Sequence, residues 1–120
     1  MIWSHAVAVG MLFAAGTYLV LQRSLSRIVL GLALLAHGAN LLLLVAGGPP
    51  GNPPLVGAEP PVSDPLPQAL ALTAIVITFG VTAFLLGLAY RSWQVAHDDV
   101  VQDDLEDRRI AREGADEEVA

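Results

Sequence analysis

Hydrophobic residues fall into three long runs that are separated by two polar links and followed by a polar end. The runs cover residues 2–21, 28–46 and 69–90, and none contains Lys, Arg, Asp or Glu. A helix needs about 20 residues, at about 1.5 Å each, to cross a hydrocarbon core of about 30 Å. Because a backbone inside lipid must satisfy its own hydrogen bonds, each run is predicted to be a membrane-spanning helix. The expected fold is an all-α integral membrane protein with three transmembrane helices.

The two links between the runs differ in character. Residues 22–27 (QRSLSR) form a short basic link, which predicts a tight hairpin between the first two helices. Residues 47–68 contain all eight prolines. Because proline removes backbone donors and disfavours helix, this segment is expected to be an irregular outer loop. Asp64 and Pro65 near its end suit a helix start, with aspartate as the N-cap and proline at the first helical position.

The placement of arginine predicts the orientation in the membrane. Arg23 and Arg27 lie in the first link and Arg91 follows the third run, so a three-span protein carries all three on one side. The proline-rich loop on the other side has no Lys or Arg. The positive-inside rule therefore predicts a multi-pass membrane protein with its N-terminus outside and its C-terminus in the cytoplasm. Residues 1–91 would form the membrane domain and residues 92–120 a cytoplasmic tail.

Charge is concentrated in that tail. Residues 92–120 hold ten acidic residues and three arginines, a net charge of −7, whereas residues 1–91 carry a net charge of +1. An acidic segment repels phosphate, which argues against nucleic acid as a partner. The tail is expected to be solvated, with a short extension of the third helix followed by a disordered acidic end.

Signatures of soluble enzymes are missing from the sequence. The chain has no cysteine, no phosphate-binding glycine loop, no cluster of metal-ligand residues and no nucleophile–base set. We therefore expect no catalytic residue, no metal site and no cofactor. No carboxylate lies within a hydrophobic run, although a carrier of protons or sodium usually needs an ionisable group at that depth. A carrier that works alone is therefore disfavoured.

Small residues recur at helix-packing spacing in the first and third runs. Ala6, Gly10 and Ala14 follow one another every four residues, as do Ala83 and Gly87. Such stripes let helix backbones approach closely. Two interpretations remain open: the stripes pack the three helices of this chain together, or they dock partner subunits.

Two polar side chains interrupt the second run. His37 and Asn40 lie on one helical stripe, and facing lipid each would cost several kcal/mol in unsatisfied hydrogen bonds. They are therefore expected to face protein or a water-filled cavity, and the third run offers Thr73, Thr78 and Thr82 as partners. The side chains either bond across the helices in a structural role or form a hydrated path for protons or cations. The candidate transport-path residues are His37, Asn40, Thr78 and Thr82.

Two segments carry a family resemblance. GTYLVLQRSLSRIVLGLALLAHGANLLLL (residues 16–44) and DPLPQALALTAIVITFGVTAFLLGLAYR (residues 64–91) resemble the C-type subunit of the Mrp-type multisubunit Na⁺/H⁺ antiporters. DPLPQALALTAIVI is the most specific part. That family is similar in turn to the K-type subunit of respiratory complex I. The resemblance implies three helices with the N-terminus outside, packed in a row of antiporter-like subunits.

In complex I, the K-type subunit has one glutamate in its second helix and another in its third. Along GLALLAHGAN the first falls on Ala33, and the second falls at or beside Thr78, so both carboxylates are missing here. This difference favours the antiporter subunit and argues against a proton relay like that of complex I. In the Mrp-type family the larger subunits hold the charged ion paths, so the resemblance implies a required partner that helps to build the assembly.

The predicted function is that of a membrane subunit of a multisubunit Na⁺/H⁺ antiporter, without catalytic chemistry of its own. It would serve assembly and line an ion pathway between larger subunits. Its expected partners are the other antiporter subunits and membrane lipid, with Na⁺ and H⁺ as the ions that the complex transports. One alternative is a K-like subunit of a complex I-related hydrogenase or NADH dehydrogenase. Another is a structural membrane scaffold whose acidic tail recruits a soluble partner.

Overall fold

Four helices make up the structure, a computed structural model that describes residues 2–101 and 104–120. They are α1 (Ile2–Val20), α2 (Leu25–Ala46), α3 (Pro65–Ala96) and α4 (Leu105–Val119). The first three are long and apolar enough to cross a membrane. The described ranges contain no strand, only two isolated β-bridges. The prediction of an all-α protein with three long apolar helices is confirmed.

Helix α2 lies in the middle of the three long helices. It contacts both α1 and α3, and within the described residues α1 and α3 do not contact each other. The α1–α2 contact is close because glycines meet there: a Cβ built on Gly31 would lie 2.7 Å from the carbonyl oxygen of Gly16 and 2.7 Å from the backbone nitrogen of Val20. A Cβ on Gly38 would lie 3.1 Å from the ring of Phe13. Glycine is therefore required for this approach of the two backbones.

The α2–α3 contact is an antiparallel seam whose members recur every three or four residues. At one end a Cβ on Gly47 would lie 2.9 Å from the Cβ of Pro67, and at the other end Leu25 and Leu88 line a common crevice. Between these two contacts, the buried and half-buried positions that continue the seam along each helix follow one another every three or four residues, as in a coiled coil. On α2 and its C-cap they are Leu25, Val29, Ala33, Ala36, Asn40, Leu43 and Gly47, and on α3 they are Pro67, Ala71, Ala74, Thr78, Thr82, Leu85 and Ala89. We call these two lines the α2–α3 seam.

The loop between α2 and α3 is held by its own hydrogen bonds. The backbone N–H of Asn52 donates to the Pro61 carbonyl at 2.8 Å, and the Asn52 side-chain amide donates to the Glu59 carbonyl at 2.9 Å. Helix α3 then begins as predicted, with Pro65 as its first residue and the Asp64 carboxylate accepting from the Leu66 N–H at 3.0 Å. The proline-rich segment is therefore an ordered connection that fixes where α3 starts.

The structure has the predicted short extension of the third helix, since α3 continues past Tyr90 to Ala96, but the acidic end differs from the predicted disordered tail. Helix α3 stops at Ala96, because His97 adopts a left-handed conformation with φ 53° and turns the chain away. The later residues form α4, whose N-cap Asp104 accepts from the Asp107 N–H at 2.7 Å. Arg109 and Glu113 form an ion pair one turn apart at 3.0 Å. Capping and this i,i+4 pair support a helix that composition alone did not suggest.

Candidate functional site

Asn40 is the one polar side chain among the described residues that is buried. Its exposed fraction is 9%, and its Nδ2 has no hydrogen-bond partner within the described chain. Val29, eleven residues or about three turns earlier, lines the crevice between α2 and α3, so Asn40 lies on the same side of α2 and faces α3. The amide is therefore enclosed in the α2–α3 seam with an unused donor.

His37 lies outside that seam. It precedes Asn40 by three residues, which turns it about 60° around the helix, and its side chain is exposed. The seam to α3 and the glycine contact to α1 occupy the other sides of α2. The structure thus separates two residues that were predicted to share a stripe: Asn40 faces the inside of this chain, and His37 faces whatever surrounds it.

The candidate threonines lie on the α3 side of the seam. Thr78 and Thr82 are half-buried there, whereas Thr73 is exposed. The Thr78 hydroxyl donates to the Ala74 carbonyl of its own helix at 2.7 Å. Across the part of the chain that the structure describes, no side-chain hydrogen bond joins α2 to α3. Asn40 and the two half-buried threonines are therefore brought to one interface without bonding directly to each other.

The predicted small-residue stripes lie on the outside of the chain. Ala6, Gly10, Ala14, Ala83 and Gly87 are all exposed, and a Cβ on Gly10 or on Gly87 would meet nothing within 4 Å. These residues do not pack the three helices together, so of the two interpretations only docking to partner subunits stays a prediction.

The glycines that do pack α1 against α2 were missed by sequence reasoning. They are Gly16, Gly31 and Gly38, which are all buried. A signal was available, since Gly31 and Gly38 are seven residues apart and so lie on one face of a helix two turns apart.

The short basic link is fastened to the segment that follows α3. The Asp99 carboxylate accepts from the Ser24 hydroxyl, from the Ser26 N–H at 3.3 Å and from the Ser26 hydroxyl at 2.9 Å. Backbone bonds flank these contacts: Leu25 N–H donates to the Asp99 carbonyl at 2.8 Å, and Val101 N–H donates to the Arg23 carbonyl at 2.7 Å. We call this set of contacts the Asp99 clamp.

The Asp99 clamp also supplies the missing cap of α2. Ser24 holds the N-cap position, but its own side chain caps no backbone donor. Asp99 takes over that function from a distant part of the chain by accepting the Ser26 N–H. The Ser24 hydrogen bond, with those from Ser26 and the charge of Arg27, holds the pKa of the Asp99 carboxyl below its usual value of 3.8.

The cavity at this end of the seam is apolar. A crevice of about 320 Å³ opens between α2 and α3, and Ser92 is the only polar residue among those that line it. The described residues contain no cluster of His, Cys, Asp or Glu that could hold a metal ion. Within the three hydrophobic runs, residues 2–21, 28–46 and 69–90, the polar chemistry is therefore that of neutral amide and hydroxyl groups and the imidazoles of His5 and His37.

Comparison with protein families gives a match over most of the chain. The model for NADH-ubiquinone/plastoquinone oxidoreductase chain 4L matches residues 4–106. The C subunit of the Na(+)/H(+) antiporter of Alkalihalophilus pseudofirmus is 60% identical over 91 residues, which cover 74% of this chain and 81% of that protein. The protein of the same name from Bacillus subtilis is 47% identical over 106 residues, covering 87% of this chain and 90% of that protein.

Solved structures give the same picture. A chain of the Mrp complex from Dietzia sp. DQ12-45-1b is 41% identical with a TM-score of 0.75, and the match covers 88% of this chain and 83% of that one. A chain of the membrane-bound sulfane sulfur reductase, an archaeal respiratory membrane complex, is 33% identical with a TM-score of 0.72, covering 84% of this chain and 96% of that one. The resemblance to the C-type subunit of Mrp antiporters is confirmed. The chain therefore belongs to the family of NADH-ubiquinone/plastoquinone oxidoreductase chain 4L, and its relatives there include the C subunits of Na⁺/H⁺ antiporters.

Proposed function

We propose that the chain is the C-type membrane subunit of a multisubunit Na⁺/H⁺ antiporter of the plasma membrane. The observation that carries this assignment is the identity of 60% and 47% to two antiporter C subunits, over most of both chains. The fold supports it, because three apolar helices in the same arrangement occur in the Mrp complex. Its partners are the other subunits of that complex, and Na⁺ and H⁺ are the ions that the complex exchanges.

The chain's own contribution is assembly and not catalysis. Helices α1 to α3 contain no carboxylate, so the chain alone lacks the buried charge that a proton or sodium carrier usually needs. The exposed small residues of α1 and α3 give neighbouring helices a surface for close approach. The acidic tail and the basic link face the cytoplasm, and the proline-rich loop faces outward.

The polar residues of the membrane helices give the subunit a second role, in lining an ion pathway between larger subunits. His37 is exposed within an apolar span, where contact with lipid is costly, so a neighbouring subunit or a hydrated cavity covers it. Asn40, Thr78 and Thr82 lie in the adjacent seam. Together they form a polar link that contains no carboxylate.

One alternative function is that of a K-like subunit of a complex I-related hydrogenase or NADH dehydrogenase. The archaeal sulfane sulfur reductase chain shares the fold at 33% identity, and the family model takes its description from an NADH oxidoreductase chain. The higher identity to antiporter subunits and the missing carboxylates favour the antiporter. A stand-alone scaffold is disfavoured by the same relatives, which are subunits of larger assemblies.

Co-purification followed by a transport assay tests the assignment. The tagged chain is expressed with the products of its flanking genes, purified in mild detergent and reconstituted into vesicles, where a sodium gradient is applied and the internal pH is followed. We expect large membrane subunits to co-purify and sodium to drive a pH change that needs this chain. Sodium/proton exchange by the isolated chain would contradict the proposal, as would co-purification of iron–sulfur subunits in place of antiporter subunits.

A further inference from the structure

The unused donor of Asn40 is the most unusual feature of the α2–α3 seam. Buried polar groups in proteins nearly always have a hydrogen-bond partner, and an orphaned one calls for an explanation such as a bound water. The Asn40 side chain is more than nine-tenths buried, and its Nδ2 has no partner in the described residues. A buried amide without a partner costs free energy, which a suitable ligand would recover.

The level of Asn40 along the seam identifies the groups across from it. Gly47 lies against Pro67, and the two helices run in opposite directions. Seven residues before Gly47 is Asn40, and seven residues after Pro67 is Ala74, so these two residues lie at about the same depth. Helix side chains point back toward the N-terminus of their helix, which brings the Thr78 hydroxyl to that depth as well.

The Thr78 hydroxyl oxygen is free to accept a hydrogen bond. Its hydroxyl hydrogen is donated to the Ala74 carbonyl at 2.7 Å, so the lone pairs of Oγ1 remain available. The Ala74 carbonyl accepts both the backbone N–H and the hydroxyl of Thr78, so its two lone pairs are already used. Asn40 therefore offers a donor, and Thr78 on α3 offers an acceptor, at one depth of the seam. The side chains nearest this level of the seam, those of Ala36, Ala71 and Ala74, are small.

We propose that Asn40 binds a water molecule in the α2–α3 seam and that this water bridges Asn40 to Thr78. The water accepts a hydrogen bond from Asn40 Nδ2 and donates one to Thr78 Oγ1. These two partners meet the minimum of the two to four polar partners that a buried water needs. The site lies inside an apolar span and connects two helices that otherwise share no side-chain hydrogen bond in the described chain. It deepens the polar link of the proposed function, on which it rests, by naming its ligand and atoms.

Selective labelling makes the site accessible to measurement. The chain contains only two asparagines, Asn40 and Asn52, so ¹⁵N-asparagine labels two side-chain amides. The full chain is placed in lipid bilayers, and transfer of magnetisation from water to each amide is followed by solid-state NMR. Asn52 lies on an exposed loop and reports contact with bulk water. The variant Asn40→Leu assigns the two signals.

The expected result is transfer to the Asn40 amide at mixing times close to those for Asn52. Thr78→Val keeps the side-chain shape but removes the hydroxyl, and it should reduce the transfer to Asn40 several-fold, whereas Thr78→Ser should retain it. Thr73→Val is the matched control, because it makes the same change on the exposed side of α3. Backbone spectra of each variant verify that the fold is kept.

If the Asn40 amide receives magnetisation only from lipid and protein protons, and none from water, the proposal is overturned. Unchanged transfer in Thr78→Val would overturn the assignment of Thr78 as the bridge. Neither result bears on the antiporter assignment, which depends on co-purification and exchange by the assembled complex. The two hypotheses can therefore fail separately.

Discussion

Asp99 and Ser26 are 73 positions apart in the chain, yet the Asp99 carboxylate accepts both the backbone N–H and the hydroxyl of Ser26. Ser26 lies in the first turn of α2, where backbone donors have no partner inside the helix. A residue that follows α3 thus caps a helix that begins much earlier. The Asp99 clamp fixes the relative position of α2 and the end of α3.

Removal of the Asp99 carboxylate should loosen the start of α2. In Asp99→Ala the Ser26 N–H loses its acceptor, so we expect faster hydrogen exchange in the first turn of α2 and a lower unfolding temperature. Asp98→Ala is the control, because within the described residues the Asp98 carboxylate accepts the nearby Val100 N–H, at 3.1 Å, and forms no hydrogen bond with α2. Equal exchange rates in the two variants would show that the clamp does not hold the helix.

The clamp should also depend on pH in a defined direction. Hydrogen bonds from Ser24 and Ser26 lower the pKa of Asp99 in the folded chain below 3.8. A lowered pKa means that the stabilisation is fully present above pH 3.8 and is lost as the pH falls through the folded-state value. A ¹³C titration of the Asp99 carboxyl measures this pKa, and the double variant Ser24→Ala/Ser26→Ala should raise it toward 3.8. A titration at or above 3.8 in the unmodified chain would count against the clamp.

Gly31 should tolerate no side chain. In Gly31→Ala the new Cβ would lie 2.7 Å from the Gly16 carbonyl oxygen, so α1 and α2 must separate. Overpacking of this kind costs about 1–3 kcal/mol, which thermal unfolding in detergent would detect. Gly10→Ala adds the same methyl group to α1 where nothing lies within 4 Å, and it should leave the unfolding temperature unchanged. If both variants unfold alike, the close glycine contact is not what joins these helices.

The exposed small residues should matter for partners and not for the fold. Gly87→Leu and Gly10→Leu place bulk on the outer sides of α3 and α1, where this chain has open space. We expect normal helical content for the chain alone but a several-fold loss of co-purified antiporter subunits. Val7→Leu is the control on α1, since it changes an exposed residue that is already large. If the leucine variants co-purify the antiporter subunits as well as the unmodified chain does, these small residues do not belong to the docking surface.

His37 and Asn40 should contribute to transport by the complex. His37→Ala and Asn40→Ala each remove a polar group from the membrane span, and we expect sodium-driven pH change to fall several-fold while the complex stays assembled. Leu42→Ala shortens an exposed side chain of the same helix and should leave exchange unchanged. Normal exchange in the intact variant complexes would leave the two residues with a packing role alone.

Features set by local sequence were predictable, and features set by distant contacts were not. The three spans follow from unbroken hydrophobic runs, and the start of α3 follows from the adjacent Asp64 and Pro65. The Asp99 clamp depends on residues far apart in sequence, so no local pattern indicates it. His37 and Asn40 differ by only about 60° around α2, and which of them is buried depends on where α3 packs.

The central position of α2 has a consequence for whatever lies beside the protein. Three helices side by side, with no contact between the outer two in the described chain, form a thin slab. The Cα atoms of the described chain span 18 Å in the shortest direction and 30 Å in the next. With its helices across the membrane, such a slab would separate the proteins that lie against its two broad faces. Because Coulomb energy falls with distance, charged groups in proteins on opposite broad faces would sense each other more strongly than those at the two edges. The face that each neighbouring protein occupies would therefore determine how strongly the charges of the two neighbours interact.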